Sequence, residues 1–273
     1  MAVLAHPDDE SLGIGGTLAK YASEGVQTSL VTATLGQAGR YRGLPPGDGH
    51  PGSEALGRIR ETELRAAAGV LGVRDLSLLG YHDQQLDRAD PREAIGRIVA
   101  QLRRVRPQVV VTFGPDGGYG HPDHVAISQF TTAAVVAAAD PGFSAGEANS
   151  VPSHAVSKLY YMAWPASAQR AYEEAFRRMV SLVDGVEREA GPWPEWSLSC
   201  VIPTGEFWET VWRAVQCHES QITAYERLAH LSPESHAALW SWQSFYRAFS
   251  TVNGGRGREA DLFEGLRADT GAF

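Results

Sequence analysis

Cysteine is nearly missing from this chain: Cys200 and Cys217 are the only two in 273 residues. Two thiols so far apart make no CxxC metal pair and no disulfide framework. Both read as free, buried thiols. Lysine is equally rare, with Lys20 and Lys158 the only two among 24 basic residues. That points to a GC-rich genome rather than to mechanism. Basic charge is in deficit overall, because 32 acidic residues leave a net charge of −8. A chain of this sign lacks the positive field that nonspecific nucleic-acid binding needs, and no basic run is interleaved with aromatics. Nucleic acid is not an expected partner. No apolar run is long enough for a membrane span. No basic region leads into a longer apolar stretch, so no signal peptide is visible and the expected location is cytoplasmic. Met1–Ala5 makes a very short first strand, which is what a trimmed start would leave.

What is present is the composition of an ordinary soluble globule, 43% apolar and 21% charged. The length allows one large domain, or a domain with an appended lobe. Strands are expected at Met1–Ala5, Val26–Thr34, Asp75–Gly80, Gln108–Phe113 and Lys158–Trp164, from their β-branched and apolar runs. Helices are expected between them: Ser11–Glu24, Ser53–Leu71 with Ser53 as its cap, Arg92–Arg106 after Pro91, and one from the 121–124 cluster to Ala139. Residues 36–52 hold six glycines and three prolines and read as a long loop. Strands alternating with helices imply right-handed crossovers and a mostly parallel sheet. The fold class is therefore α/β, a Rossmann-like doubly wound sheet of order about 3-2-1-4-5. The expected division is a catalytic core at 1–165, a Trp-rich lobe at 166–253 and a loose tail at 254–273. Helical stretches are expected near 167–189, 205–229 and 234–248, with a strand at Ser197–Ile202.

Two clusters carry the chemistry. Ala5-His6-Pro7-Asp8-Asp9-Glu10 follows the first strand, and Gly120-His121-Pro122-Asp123-His124 follows the fourth. In a 3-2-1-4-5 sheet these two strands are neighbours at the point where the order reverses, and a crevice opens at their carboxyl ends. Together the clusters offer His6, Asp9 and His124, two imidazoles and a carboxylate with positions left open, as a catalytic zinc requires. The same set accepts ferrous iron. Asp8 adjoins a ligand and is expected to take a proton from water as it attacks. His121 lies one helical turn from His124 and is expected, when protonated, to steady an oxyanion or a departing amine. Asp123 is expected to orient His121. Tyr119 is placed to donate from its hydroxyl to the oxyanion.

These two motifs, with Gly13-x-Gly15-Gly16 after the first, resemble the LmbE-like, or PIG-L, family of zinc-dependent N-deacetylases. The resemblance covers residues 1 to about 165. It implies His6, Asp9 and His124 as metal ligands, Asp8 as base, and His121 with Asp123 assisting the oxyanion and leaving group. It implies sugar contacts from Arg60, in Arg60-Glu61-Thr62-Glu63-Leu64, and from Asp83, in Tyr81-His82-Asp83-Gln84. The family's usual glycine or serine after that aspartate is Gln84 here. The expected activity is removal of an acetyl group from an N-acetylated amino sugar or a sugar-containing conjugate, a small-molecule substrate. Two rivals stand beside it: an amidase of a larger thiol-sugar conjugate, and a metal- or glycan-binding module without catalysis. His218, in Cys217-His218-Glu219-Ser220-Gln221, is a further residue that borders the pocket if the C-terminal part folds over it.

Overall fold

The sheet grows outward from β1 (Ala2–Leu4), whose three residues are all buried. β2 (Ser29–Thr34) pairs with it in parallel on one side, Val3 opposite Val31, and β4 (Val109–Thr112) on the other. β3 (Asp75–Tyr81) lies beyond β2, and β5 (Lys158–Met162) beyond β4, both parallel. Strands buried on both faces need apolar residues throughout, which is why β1 and β4 read as unbroken hydrophobic runs. This computed structural model describes the chain except for residues 145, 147–150, 176–179, 184, 190, 254, 256 and 268–273, and the side chains of 224 and 225. The expectations for those stretches, including the last residues of the tail, lie outside the described residues.

The crossover helices follow from local chemistry. α1 (Asp9–Ser23) leaves β1, and α2 (Ser53–Val70) starts after Gly52. Ser53 is the first residue of that helix and Gly52 precedes it, so the expected Ser53 cap is displaced by one position. α3 (Pro91–Val105) opens with Pro91 and is capped by Asp90, whose side chain accepts from the N–H groups of Arg92 and Glu93. A single turn, α4 (Gly117–Gly120), precedes α5 (Pro122–Ala139). His121 caps α5, its Nδ1 accepting the N–H of Asp123 at 3.2 Å. Among the described residues no helix is long and apolar enough to cross a membrane.

The last third departs most from expectation. α6 (Ala166–Ala175) is followed by a hairpin, β6 (Val180–Val183) and β7 (Val186–Glu189), where a helix was expected to reach 189. An Asp-Gly pair separates the two strands in the sequence, and that pair is a hairpin signal. After β8 (Cys200–Pro203), the helix expected over 205–229 breaks into α7 (Trp208–Gln216), irregular turns and α8 (Glu226–Ala229). The expected helix at 234–248 is α9 (Pro233–Leu239) followed by β9 (Trp242–Ser250). Gln243 and Phe245 point inward and Trp242 outward, a period of two that aromatic-rich strands favour. β9 runs antiparallel between β5 and β8, extending the sheet to β3-β2-β1-β4-β5-β9-β8.

Among the described residues after β9, those around Glu259 are held firmly, where a loose tail was expected. Lys158 in β5 is buried and donates to Glu259 Oε1 at 2.7 Å and to the carbonyl of Glu264 at 2.8 Å. Arg247, Tyr160 and Asn253 also donate to the Glu259 carboxylate. Breaking one partner of a buried pair leaves an uncompensated charge. Glu259→Ala is expected to lower the unfolding free energy by about 3–5 kcal/mol. Urea denaturation checks this, and an unchanged midpoint would mean that Lys158 has other means of neutralising its charge.

Candidate active site

The segments leaving the carboxyl ends of β1, β3 and β4 meet at a cavity of about 370 Å³. His6 follows β1 and is buried, with Nδ1 3.0 Å from His124 Nε2. His124, in the first turn of α5, donates from Nδ1 to the Gly117 carbonyl at 3.1 Å. That bond leaves a lone pair on its Nε2. Phe113, just past β4, stacks on the same ring with centroids 4.0 Å apart. Asp9 brings Oδ1 to 3.4 Å from His124 Nε2 and Oδ2 to 3.9 Å from His6 Nδ1. The N–H groups of Ala5 and His6 donate to Oδ2 at 3.1 and 2.8 Å. Donor atoms around a tetrahedral zinc ion stand roughly 3.3 Å apart, from bond lengths of about 2.0–2.2 Å. The His6–His124 and Asp9–His124 spacings lie near that figure, while Asp9 reaches His6 at 3.9 Å through its other oxygen, so a carboxylate and two imidazoles of the right chemistry stand at about the span of such an ion. The ring nitrogens of His6, His121 and His124 also lie within 4.8 Å of one another, which makes His121 a rival for the third position.

The electrostatics agree. Burial opposes charge on His6, but Asp123, Asp83 and Asp9 outweigh it and push the ring up to about 10. Burial pushes Asp9 up to about 7 against the pull of His6. His124 is driven well below the ordinary imidazole value by burial, then by His6 and His121. A positive charge is therefore favoured between the two facing nitrogens, and a divalent cation is the species that such a buried carboxylate–imidazole group accommodates.

Asp8 sits at φ 98, a left-handed backbone uncommon outside glycine. Its side chain caps no helix N–H. Instead Oδ2 accepts from Arg60 Nη2 at 3.1 Å, and the residue lines the cavity. Tyr119 also lines it, with its ring 5.1 Å from that of His124, and burial raises its phenol far above the usual value.

Four of the expected site residues are tied into the protein by bonds that the sequence does not show. Asp123 orients His6 and not His121: its Oδ2 lies 3.2 Å from His6 Nε2, and it accepts the N–H groups of Gln84 at 2.7 Å and Leu86 at 3.1 Å. The Nδ1 of His121 accepts a backbone N–H, and burial, followed by the neighbouring His6, pushes the ring down to about 4. Asp83 turns one oxygen to His6 Nε2 at 3.1 Å and the other to the Ala38 N–H at 3.1 Å. Burial works against the Asp83 charge, but the bond to His6 overrides it and holds the carboxyl down to about 2. Arg60 is buried and directs its guanidinium at the carbonyls of Gly36, at 2.9 Å, and Pro7, besides Asp8. Both residues border the cavity, where the expected sugar contacts would be made.

Residues 1–135 match the family model described as PIG-L: GlcNAc-PI de-N-acetylase. The chain is 37% identical to the 1D-myo-inositol 2-acetamido-2-deoxy-alpha-D-glucopyranoside deacetylase of Kineococcus radiotolerans, over 97% of this chain and 82% of that one. This chain belongs to the PIG-L family. The like-named deacetylase of Streptomyces avermitilis is 36% identical over 97% of this chain and 96% of its own. N,N'-diacetylchitobiose deacetylase from Pyrococcus horikoshii shares the fold, with a TM-score of 0.63 at 20% identity over 90% of this chain and 83% of that one. Membership of the PIG-L family makes the protein a hydrolase of the de-N-acetylase type.

The Glu10–His218 pair went unread in the sequence. His218 is fully buried and lies 2.7 Å from Glu10 Oε1, so it does not border the pocket. Glu10 Oε2 accepts the N–H of Asp8 at 3.0 Å, which fixes the unusual backbone there. Gln84, at φ 64, holds a left-handed backbone that glycine adopts without strain. Gly36 is required for a stronger reason. It has φ 61, and a Cβ there would lie 1.9 Å from Arg60 Nη1. Gly36→Ala is expected to cost more than about 1 kcal/mol and to displace Arg60. Thermal denaturation checks it; a variant as stable as the parent would contradict this packing.

Proposed function

We propose that this protein is a zinc-dependent de-N-acetylase acting on an N-acetylglucosaminyl conjugate, with His6, Asp9 and His124 as the ligands. The observation that carries the reading is the approach of His6 Nδ1 and His124 Nε2 to 3.0 Å with the Asp9 carboxylate within 3.9 Å of both rings, and with Asp8 beside them on the cavity wall. The names of the Kineococcus and Streptomyces relatives support the substrate class. Bound there, zinc supplies Lewis-acid polarisation of the acetyl carbonyl and acidifies a water.

The chain's own residues do the rest. Asp8 takes the proton of the attacking water and returns one to the departing nitrogen. Arg60 fixes the orientation of Asp8 through Nη2. His121, neutral with its proton on Nε2, donates to the developing oxyanion instead of delivering a proton to the amine. Asp123 and Asp83 accept from His6 Nε2, which aims its Nδ1 at the cation and raises its basicity.

Metal-loaded enzyme is incubated with N-acetylglucosaminides and assayed for acetate and free amine; neither product from any of them would remove the reading. Asp8→Asn is expected to keep its metal and lose about 10²–10⁴-fold in kcat. His124→Ala and Asp9→Ala are expected to lose metal, and His121→Ala to keep it, by elemental analysis. The opposite pattern for Asp9 and His121 would assign the site to three histidines. Asp123→Asn is expected to weaken metal binding about 10–100-fold, read by competition with a chelator.

A further inference from the structure

Three buried ionisable groups take no part in the chemistry proposed above: Glu10, Glu63 and His218. A buried carboxylate is costly unless its partners are well placed. The partners of these three all lead to Asp8.

Glu10 divides its carboxylate between two sides. Oε2 accepts the Asp8 N–H at 3.0 Å. Oε1 accepts the Ser11 hydroxyl at 2.6 Å and faces His218 Nε2 at 2.7 Å. An ionised carboxylate only accepts, so the imidazole donates from Nε2. His218 is set by the turn that ends α7. Its N–H donates to the Val215 carbonyl at 3.1 Å, and its carbonyl accepts the Gln221 N–H at 2.9 Å. Two residues on, Ser220 gives its N–H and its hydroxyl to the two oxygens of Glu63, both at 2.7 Å. Glu63 lies three residues after Arg60 on α2, where side chains share a face. Arg60 Nη2 in turn reaches the Asp8 carboxylate at 3.1 Å. The short segment 218–220 therefore sets α1 and α2 against each other, and the two helices grip Asp8 at its N–H and at its side chain.

Resting on the deacetylase reading, we infer that His218 is a positioning residue for the base: through Glu10 it holds the Asp8 backbone at φ 98 and so aims the Asp8 carboxylate at the attacking water. Without that acceptor the strained backbone relaxes, and the carboxylate turns away with it. A misplacement of about 1 Å costs roughly 10²-fold in rate. Neither Glu10 nor His218 is among the residues that line the cavity, so both act on Asp8 and not on the substrate.

The test compares His218→Gln, which keeps a donor toward Glu10, with the double variant Glu10→Leu/His218→Leu, which removes both partners and leaves no buried charge alone. His218→Phe keeps the ring volume and removes the donor, so the outcome does not hang on one variant folding. Each is loaded with metal, checked by elemental analysis and thermal denaturation, and assayed for acetate from N-acetylglucosaminides. His218→Gln is expected to retain most of kcat. The double variant is expected to keep its metal and the parent KM and to lose about 10²-fold in kcat, with a loss in the same direction for His218→Phe. In an Asp8→Asn background the double substitution is expected to cost nothing further, because groups that act as a unit are not additive. Amide exchange at Asp8, followed by NMR, reads the hold without turnover. It is expected to be about tenfold faster in the double variant than in the parent, the factor for one hydrogen bond. A folded double variant or His218→Phe with the parent's kcat, an equal loss with and without the Asp8 carboxylate, or unchanged exchange at Asp8 overturns the positioning role. Faster exchange in the double variant, with no acetate from the parent on any glycoside, sinks the catalytic reading and leaves the hold on Asp8 standing.

Discussion

The facing nitrogens of His6 and His124 set the terms for the rest of the molecule. Two imidazoles 3.0 Å apart, ringed by buried carboxylates, are tolerable only with positive charge between or beside them. Each surrounding element answers that demand from a different strand end. The β3 loop supplies Asp83 and the N–H groups of Gln84 and Leu86 that hold Asp123. The β4 end supplies Phe113 and, through the following turn, the Gly117 carbonyl. A misplacement in any of them reaches the same two rings. The carboxyl ends of a parallel sheet are where such convergence is cheapest, because loops from neighbouring strands meet there without further construction.

Behind the cavity a second set of buried charges maintains the backbone. Asp8 is strained at φ 98, and strain of this kind persists only when surrounding contacts overdetermine it. Three contacts do so: Glu10 takes the Asp8 N–H, Arg60 takes the Pro7 carbonyl, and Arg60 also binds the Asp8 side chain. His218 then holds Glu10 from the far end of the sequence, and Ser220 holds Glu63 of the helix that carries Arg60. The segment 218–221 is thus a strap across α1 and α2, and it explains why the C-terminal third matters to a site assembled from the first half.

Much of this was legible before any coordinates. The parallel order β3-β2-β1-β4-β5 follows from alternating elements, and adjacency of the two motifs follows from that order. What sequence spacing does not carry is direction. Asp123 stands next to His124 and two residues from His121, yet its carboxylate reaches His6, 117 residues away in the chain. Asp83 and Arg60 likewise reach across the chain, Asp83 to His6 and the Ala38 N–H, Arg60 to Asp8 and the Gly36 carbonyl, and motif spacing marks none of these bonds. β9 was misread because a run of aromatics fits either period, and burial against β5 and β8 decides between them. The segment around Glu259 looked loose because its anchor, Lys158, lies 101 residues earlier.

These distinctions separate what the fold shares from what this chain adds. The polar cluster draws on residues 6 to 124, within the stretch that defines the family. The apolar lining draws on residues 164 to 193, on a hairpin and loops attached where β5 ends. The buried carboxylates Asp9, Asp83 and Asp123 all face the His6 ring, so a change at one of them alters the charge balance of the others. The apolar lining is coupled to charge at fewer points, among them the bond from Trp193 Nε1–H to Asp116 Oδ2.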